Sequence, residues 1–277
     1  MPHAYTNGIV TFYEDTGEGA AVVLIHGYGA DLRLWDAQVS ALASAGFRVI
    51  RYDVRGHGRS LIPPGGYTYE NYAADLRNLL DRINVERPAT ESLGVEAAHL
   101  VGLSMGGGIA LQFALDFPER VISLTLVDSA LPGFTYGQQA AGRIEALVEA
   151  VRTEGPRAAL ENVYLQHPFF DGIRRDPERF EFVRKIVLSF QAPDMREGGR
   201  PADYRPDLAV RLPEVVAPTL VVVGEHDIGD FRLIAEVLAE NLPRACLIVM
   251  PDCWHLPPVE KPDEFKEMLI SFLRDPR

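Results

Sequence analysis

A serine lies in a glycine-rich turn at the point where an apolar stretch gives way to a helical pattern. Ser104 is the middle residue of "GLSMG", residues 102–106, which has the spacing G-x-S-x-G. Between a strand and a helix, this spacing is typical of a tight, strained turn that projects the serine outward. Gly102 and Gly106 suit such a turn because a Cβ at either position would strike neighbouring backbone. The pattern indicates a nucleophile, although a structural turn with a capping serine remains an alternative.

A serine hydroxyl needs a base to accept its proton, usually a histidine that a carboxylate orients. After a G-x-S-x-G turn, the acid and then the histidine are expected on loops that follow later strands. Of the seven histidines, His255 fits best, because it lies between the apolar run "ACLIVM" and the last helical segment. The alternative for His255 is a surface-loop histidine or one that packs on Trp254.

Two aspartates compete for the role of the acid. Asp227 ends "VVVGEHD", just past an apolar run, and comes before His255 in the expected order. It could instead be the N-cap of the helical segment "FRLIAEVL". Asp128 ends "VISLTLVD", and a carboxylate there could also reach the histidine. The order and the context favour Asp227.

Ester chemistry at a serine also needs donors for the oxyanion of the tetrahedral intermediate. One donor is expected to be the backbone N–H of Met105, which follows the serine. The other is expected in "LIHGYGAD", where the flanking glycines would let the N–H of Tyr28 turn toward Ser104. Such donors contribute a few kcal/mol each to stabilisation of the transition state. A plain glycine turn is the alternative for this loop.

Strands and helices alternate in the pattern that would place these residues together. Four continuous apolar runs, "AVVLIHG", "FRVIRYD", "AHLVGLS" and "VISLTLVD", predict strands that are buried on both faces, as in a parallel sheet. Helical patterns such as "YENYAADLRNLLDRI" separate them, so an α/β fold is predicted. The segment "GIVTFYEDTGEG" is interpreted as a hairpin at the sheet edge. Two further runs, "PTLVVVGEHD" and "ACLIVMP", predict the last strands.

The alternation breaks after Asp128. Residues 132–213 contain helical patterns separated by Pro- and Gly-rich breaks, without a convincing buried strand. The predicted domains are therefore an α/β core of residues 1–131 and 214–277, with a helical cap of residues 132–213 inserted between its halves.

Composition excludes several classes of function. The 277 residues carry a net charge of −12, which argues against a nucleic-acid partner. Two cysteines and an N-terminus without a signal-peptide pattern predict a reduced, cytoplasmic protein. No apolar run approaches the roughly 20 residues that span a bilayer, so no membrane partner is expected. Neither metal-ligand spacings such as H-E-x-x-H nor a phosphate-binding loop is present, so no metal and no cofactor are predicted.

Across nearly its whole length the sequence resembles the α/β-hydrolase superfamily. The matching segments, in the family's order, are "HGYG", "YDVRGHGRS", "GLSMGG", "GEHD" and "WHLPPVEKP". The resemblance implies an α/β-hydrolase fold whose mostly parallel sheet is flanked by helices and covered by a helical cap. It implies the roles of nucleophile for Ser104, acid for Asp227 and base for His255. It also implies structural roles for Asp53, Arg55 and His57.

Within that superfamily the chain is most similar to serine esterases, enol-lactonases and cofactor-free haloperoxidases. Some esterases with perhydrolase activity have proline where this chain has Gly29, which argues against peracid chemistry. The predicted function is hydrolysis of a small carboxylic ester or lactone through an acyl-serine intermediate. The alternatives are a carbon–carbon bond hydrolase of the meta-cleavage type and a small-molecule receptor with the hydrolase fold.

The substrate pocket is the least determined part of the prediction. Four aromatic residues are candidates for its walls, although each could instead belong to the core: Trp35, Phe134, Tyr164 and Trp254. Arginines of the insertion, including Arg174, Arg175 and Arg184, would suit a substrate carboxylate or a solvated helix face equally well. A small-molecule substrate is the expected partner, and the sequence leaves open whether the protein is a homo-oligomer.

Overall fold

An eight-stranded, mostly parallel sheet forms the centre of the computed structural model, which describes residues 3–86, 95–196 and 208–277. The strands are β1 (His3–Thr6), β2 (Ile9–Thr16), β3 (Ala20–Ile25), β4 (Phe47–Tyr52), β5 (Ala98–Leu103), β6 (Val121–Val127), β7 (Thr219–Gly224) and β8 (Ala245–Met250). Their order across the sheet is β1-β2-β4-β3-β5-β6-β7-β8. Strands β3 to β8 run parallel to one another, and β2 is antiparallel to both of its neighbours, β1 and β4. The predicted α/β-hydrolase fold is confirmed.

The helices are α1 (Asp36–Ser44), α2 (Tyr69–Glu86), α3 (Met105–Asp116), α4 (Gln138–Glu154), α5 (Pro156–Asn162), α6 (Pro177–Val187), α7 (Pro193–Arg196), α8 (Gly229–Asn241), α9 (Pro257–Glu260) and α10 (Pro262–Arg274).

Alternate residues of β3 face opposite sides of the sheet, as the period of a strand requires. Val23 and Ile25 pack with the apolar side chains of α2, α3 and α8. Val22 and Leu24 pack with those of α1 and α10. Both faces of β3 are therefore covered by helices, which explains the continuous apolar run of this strand in the sequence.

The N-terminal hairpin differs from the prediction. The sequence predicts it within "GIVTFYEDTGEG", but β2 occupies most of that segment as a single strand and pairs with both β1 and β4. The hairpin turn lies earlier, at Asn7 and Gly8, which have φ angles of 40° and 82°. A two-residue Asn-Gly loop is the strongest local signal for such a turn. The edge strand is therefore β1 rather than β2.

Helices fill the segment between β6 and β7 wherever the structure describes it. The segment contains α4 to α7 and several short 3₁₀ turns, and residues 197–207 of the predicted cap lie outside the described residues. The chain returns to the core at Leu208, whose N–H donates a hydrogen bond to the carbonyl of Pro132 (3.0 Å). Leu208 and Leu212 pack into the core beside α8, although the sequence division assigned both to the cap. The division into two domains stays a prediction.

The strand order changes direction at β3, which creates a position where a ligand can bind. From β3 the chain crosses to β4 on one side, and later to β5 on the other side. In open α/β sheets, ligands bind at the carboxyl ends of the strands at such a switch point. The loop after β3 carries Tyr28, and the turn after β5 carries Ser104. No helix in the described ranges is both long enough and apolar enough to cross a bilayer.

The turn from β5 to α3 depends on close backbone packing. A Cβ at Gly102 would lie 2.2 Å from the carbonyl oxygen of Gly106, and a Cβ at Gly106 would lie 2.2 Å from the carbonyl oxygen of Ile25. Both obstacles are main-chain atoms, which cannot move aside without shifting a strand or a helix. The two glycines thus allow α3 to begin directly against the end of β3.

This packing predicts opposite effects for two glycine substitutions. Gly106→Ala is expected to lower the free energy of unfolding by more than about 1 kcal/mol, because the added methyl group overpacks the turn. Gly142, on the exposed side of α4, has open space around a Cβ. Gly142→Ala is therefore expected to raise the free energy of unfolding by roughly 0.5 to 1 kcal/mol. Urea denaturation checks both, and equal effects of the two substitutions would contradict the packing argument.

Candidate active site

Ser104 occupies the strained turn that its sequence pattern predicts. Its φ and ψ angles are 54° and −116°, in a region that non-glycine residues rarely adopt. The surrounding backbone holds this conformation: the N–H of Ser104 donates to the carbonyl of Val127 (2.9 Å), and its own carbonyl accepts from Gly107 and Ala130 (2.9 Å each). The side chain therefore projects at the carboxyl end of β5, next to the first turn of α3.

Asp227 and His255 form a buried pair. The Nδ1–H of His255 donates a hydrogen bond to Oδ2 of Asp227 (2.7 Å), and both side chains are at most 5% exposed. The other carboxylate oxygen, Oδ1, accepts from the backbone N–H of Ile228 (2.7 Å). Two donors fix the carboxylate, and the carboxylate assigns the ring proton to Nδ1. The second ring nitrogen, Nε2, is left to act as the proton acceptor.

Aromatic rings restrict the rotation of the imidazole. Phe169 stacks on His255 with ring centroids 3.8 Å apart and an interplanar angle of 17°. Phe231 meets the same imidazole edge to face at 4.6 Å. On the far side of Phe169 lies His167, whose ring centroid is 3.8 Å away. Burial, followed by the neighbouring His255, lowers the pKa of His167 to about 3, so this second imidazole is neutral beside the pair.

Asp128 lies beside the pair and does not replace Asp227. One carboxylate oxygen of Asp128, one of Asp227 and a ring nitrogen of His255 lie within 4.8 Å of one another. Oδ1 of Asp128 accepts from the N–H of Gly224 (2.9 Å), whereas Oδ2 has no donor among the described residues. Burial and the charge of Asp227 raise the pKa of Asp128 well above its usual value. This shift favours the protonated, neutral form of the Asp128 carboxyl group beside Asp227.

The same three side chains have the composition of a metal site. A cation held there would compete with the Nδ1–H of His255 for the oxygen of Asp227. The hydrogen bond from Nδ1–H of His255 already occupies that oxygen, so the arrangement suits a hydrogen-bonded pair better than an ion.

The two expected oxyanion donors flank Ser104. Met105 is the first residue of α3, so its N–H has no acceptor within the helix. The loop that carries Tyr28 lies directly against the serine, because a Cβ at Gly27 would be 3.3 Å from Cβ of Ser104. The Gly27–Tyr28 loop and the start of α3 are therefore both next to Ser104, and the amino end of α3 favours negative charge there. The role of the two N–H groups as oxyanion donors stays a prediction.

Asp53, Arg55 and His57 support the loop of Tyr28 and the strands beneath it. Asp53 accepts hydrogen bonds from the N–H groups of Leu32 (2.9 Å) and Arg59 (2.8 Å). Arg55 forms a buried ion pair with Asp75 at 2.7 Å. Burial, followed by the neighbouring His26, lowers the pKa of His57 to about 3, so His57 is neutral. None of the three lines the cavities described next, which agrees with structural roles.

A small cavity lies between Ser104 and His255. Its volume is about 30 Å³, and both Ser104 and His255 line it. A water molecule takes roughly 10 to 15 Å³ in this measure, so the cavity has room for about two water-sized groups. The remaining walls are apolar, with Leu34, Val183 and Val187 among them.

A larger apolar cavity of about 130 Å³ adjoins the small one. Tyr28, Tyr164 and Phe169 line both cavities and so form the boundary between them. One face of α4 forms a wall, with Ala140, Ile144 and Leu147 at the spacing of a helical stripe. Met105 and Phe231 contribute further lining.

Three of the four predicted pocket residues line neither of these two cavities. Trp35 is fully buried in the core, where its ring lies 6.3 Å from that of Phe265, and it lines neither cavity. Phe134 packs against Tyr136 and the core, and only Tyr136 reaches the cavity. Trp254 turns away from its neighbour His255. Tyr164 lines both cavities, and its contact with a substrate stays a prediction.

The ring of Trp254 instead belongs to an outer surface cluster. The guanidinium of Arg175 lies 4.1 Å from the centre of that ring, and His226 lies on it at 4.6 Å. Arg174 donates hydrogen bonds to Asp171 and to the carbonyls of Leu165 and His167. Arg184 pairs with Glu161 at 2.7 Å. The residues described around the two cavities include neither Lys nor Arg, so these arginines do not serve a substrate carboxylate there.

Sequence reasoning missed Phe231 and the stripe on α4. Phe231 follows Asp227 by four residues, so the first turn of α8 brings it back over the pair that the acid forms. The stripe of α4 has helical spacing in "GRIEALVEAV", which signalled an apolar face but not what that face covers. Both signals become informative only once the cap is placed over the sheet.

Comparison with known proteins identifies the family. The model of the family described as "alpha/beta hydrolase fold" matches residues 20–262, which is most of the chain. The chain belongs to this family. The resemblance found in the sequence is thereby confirmed.

Relatives in this hydrolase family differ in what they act on. The chain is 32% identical to a 2-hydroxy-6-oxononadienedioate/2-hydroxy-6-oxononatrienedioate hydrolase of Burkholderia vietnamiensis, over 95% of this chain and 90% of that protein. A thermophilic esterase from Thermogutta terrifontis has a similar structure, with a TM-score of 0.82, 32% identity and coverage of 99% and 97% of the two chains. The enol-lactonase from Burkholderia xenovorans gives a TM-score of 0.84 at 28% identity, over 99% and 100%.

The protonation of Asp128 makes the stability of this hydrolase depend on pH. Its pKa is raised on folding, so its stabilisation is complete below the unfolded pKa near 4 and is lost as the pH rises toward the folded value. Asp128→Asn keeps the shape and removes the titration. Between about pH 5 and pH 8, we expect the free energy of unfolding of the variant to fall less steeply than that of the wild type, by up to about 1.4 kcal/mol per pH unit.

Urea denaturation at each pH measures this difference in slope. Asp116→Asn, on the exposed end of α3, is the control and should follow the wild type. Identical slopes for Asp128→Asn and the wild type would show that Asp128 is ionised in the folded protein.

Proposed function

We propose that this protein is a serine hydrolase that cleaves a small, neutral carboxylic ester or lactone through an acyl-serine intermediate. The strongest support is the buried 2.7 Å hydrogen bond from His255 to Asp227 beside a cavity that Ser104 also lines. This arrangement supplies a nucleophile, a base and an acid in the order expected for the fold. The esterase and lactonase among the similar structures support the same chemistry.

In the first half of the reaction, Oγ of Ser104 attacks the ester carbonyl and Nε2 of His255 accepts the hydroxyl proton. Asp227 stabilises the imidazolium that forms. The carbonyl oxygen becomes an oxyanion, which the N–H groups of Tyr28 and Met105 stabilise. The intermediate then collapses: the bond to the alcohol oxygen breaks, His255 returns the proton to that oxygen, and an acyl-serine remains.

In the second half, a water molecule takes the place of the alcohol. His255 accepts one proton from the water as its oxygen attacks the acyl carbon. The second oxyanion occupies the same two N–H groups. Breakage of the bond to Oγ, with return of the proton from His255, releases the carboxylic acid and regenerates Ser104.

The two cavities support an uncharged substrate with one small and one larger apolar substituent. The small cavity holds the reacting groups, and the larger one has room for about ten water-sized groups. A charged substituent in either cavity would lose its hydration without gaining an oppositely charged Lys, Arg, Asp or Glu from the described lining. The apolar face of α4 is therefore expected to select for the larger substituent.

A carbon–carbon bond hydrolase is the main alternative, because the relatives include two hydrolases named for dienedioates. A dicarboxylate substrate requires cationic groups near its carboxylates, and the described lining of the cavities offers none. The lining thus favours a neutral ester or lactone. An assay of a vinylogous diketone beside a plain ester separates the two reactions.

Removal of the nucleophile tests the proposed reaction. Ser104→Ala is expected to lower kcat on a panel of aryl esters and lactones by more than roughly a thousandfold, because no acyl-enzyme can form. The steady-state rate of product release measures the loss. Ser189→Ala, an exposed serine of the cap, is the control and should retain activity.

Unchanged turnover by Ser104→Ala would contradict the proposal. If the wild type binds panel members without converting any of them, the protein is instead a receptor with the hydrolase fold.

A substitution that fills part of the larger cavity tests whether that cavity binds the larger substituent of the substrate. Ala140 is buried and lines that cavity, whereas Ala146, further along α4, is exposed and lines neither cavity. Ala140→Phe is expected to lower kcat/KM for long-chain esters by on the order of tenfold or more, because their apolar tail loses its place. Short-chain esters should be affected much less. Ala146→Phe should leave the chain-length profile unchanged, and a uniform loss with Ala140→Phe would contradict the assignment.

A further inference from the structure

The loop that carries Tyr28 is rich in glycine, so its own residues restrict its backbone conformation little. Glycines flank Tyr28 on both sides, and Gly29 has a φ angle of 71°. The direct backbone hydrogen bond across the loop, from the N–H of Ala30 to the carbonyl of Gly27, is 3.2 Å long. A Cβ at Gly27 would lie 3.3 Å from Cβ of Ser104, so a stiffer residue there would crowd the serine. The direction of the N–H must therefore be set by contacts from outside the loop.

Both ends of the peptide group that follows Tyr28 are held by side chains. The hydroxyl of Tyr164 donates a hydrogen bond to the carbonyl of Tyr28 (3.0 Å). At the other end of the same peptide group, the N–H of Gly29 donates to Nε2 of His57 (3.3 Å). Burial raises the pKa of Tyr164, so its hydroxyl keeps the proton that it donates. Because a peptide group is planar, these two contacts fix the plane that adjoins Tyr28.

A second contact from the cap holds the side chain of the same residue. The hydroxyl of Tyr28 donates to Oδ1 of Asp194 (2.8 Å), in the short helix α7. Burial raises the pKa of Tyr28 well above its usual value, so this hydroxyl is also a stable donor. With the ring anchored at its tip and the following peptide fixed, little freedom remains for the N–H of Tyr28.

We propose that Tyr164 and Asp194 are positioning residues, through which the cap orients the oxyanion donor of Tyr28. The inference rests on the proposed function, since it assigns the N–H of Tyr28 to the oxyanion. Two cap residues hold one core residue at its carbonyl and at the end of its side chain. The cap is therefore part of the apparatus that stabilises the transition state, in addition to forming walls of the cavities.

The kinetic signature follows from when the oxyanion exists. Charge on the carbonyl oxygen develops in the transition state, so a misdirected N–H lowers kcat and leaves ground-state binding nearly unchanged. Complete loss of one oxyanion donor costs roughly a hundredfold to a thousandfold in kcat in other hydrolases, and a donor that is present but unsupported should cost less.

Tyr164→Phe is the first test, because it removes one hydroxyl and keeps the ring that lines both cavities. We expect kcat on the best ester of the panel to fall about tenfold and KM to stay within about twofold. The affinity for a trifluoromethyl ketone, whose adduct with Ser104 places a negative oxygen at the donors, should fall in proportion to kcat/KM. Glu161→Gln, which weakens an ion pair on the outside of the cap, is the control and should change neither value.

Variants of Asp194 test the same proposal independently, even if Tyr164→Phe does not fold. Asp194→Ala and Tyr28→Phe each remove the same hydrogen bond, so each should lower kcat by a similar factor. The double variant should be no worse than either single one. Asp194→Asn retains an acceptor oxygen and should recover most of the activity of the wild type.

The outcomes separate this inference from the proposed function. If Ser104→Ala abolishes turnover but Tyr164→Phe and Asp194→Ala leave kcat unchanged, the positioning role is wrong and the serine mechanism stands. A rise in KM at constant kcat would likewise overturn it, by showing that these residues bind substrate. If the wild type hydrolyses no member of the panel and gains no adduct on Ser104, the proposed function itself fails.

Discussion

The 2.7 Å hydrogen bond between Nδ1 of His255 and the carboxylate of Asp227 determines which ring nitrogen of the imidazole can accept a proton. It ties a loop after the last strand to a loop after the preceding one, and it holds His255 at the cavity that Ser104 also lines. The stack of Phe169 and the edge of Phe231 keep the ring in that orientation. The backbone strain at the serine has a function only if this orientation is maintained.

Electrostatics around that bond depend on one retained proton. Asp128 and Asp227 lie close together in a buried position, and burial together with the charge of Asp227 raises the pKa of Asp128 well above its usual value. Asp227 has two hydrogen-bond donors and Asp128 has one among the described residues. The carboxylate that the sequence favoured as the acid is therefore the one with more hydrogen-bond donors. The competitor contributes a neutral carboxyl group rather than a second base.

The sequence predicted the parts of the molecule whose signals are local. Six strands followed from continuous apolar runs, and the residues of the candidate site followed from the strand ends on which they lie. The walls of the cavities did not follow, because neighbours in sequence can face opposite ways. His255 faces the cavity, whereas Trp254 faces Arg175 at the surface. The ties between the cap and Tyr28 join residues far apart along the chain, with no periodic pattern to reveal them.

The most direct test of the account is to treat the native protein with a fluorophosphonate and to map the adduct by mass spectrometry of its peptides. The account predicts one phosphonyl group per chain, attached to Ser104, and much slower labelling when His255 is replaced by alanine. A crystal structure of the adduct should place the phosphonyl oxygen between the N–H groups of Tyr28 and Met105. Folded protein that remains unlabelled, or a label on another residue, would contradict it.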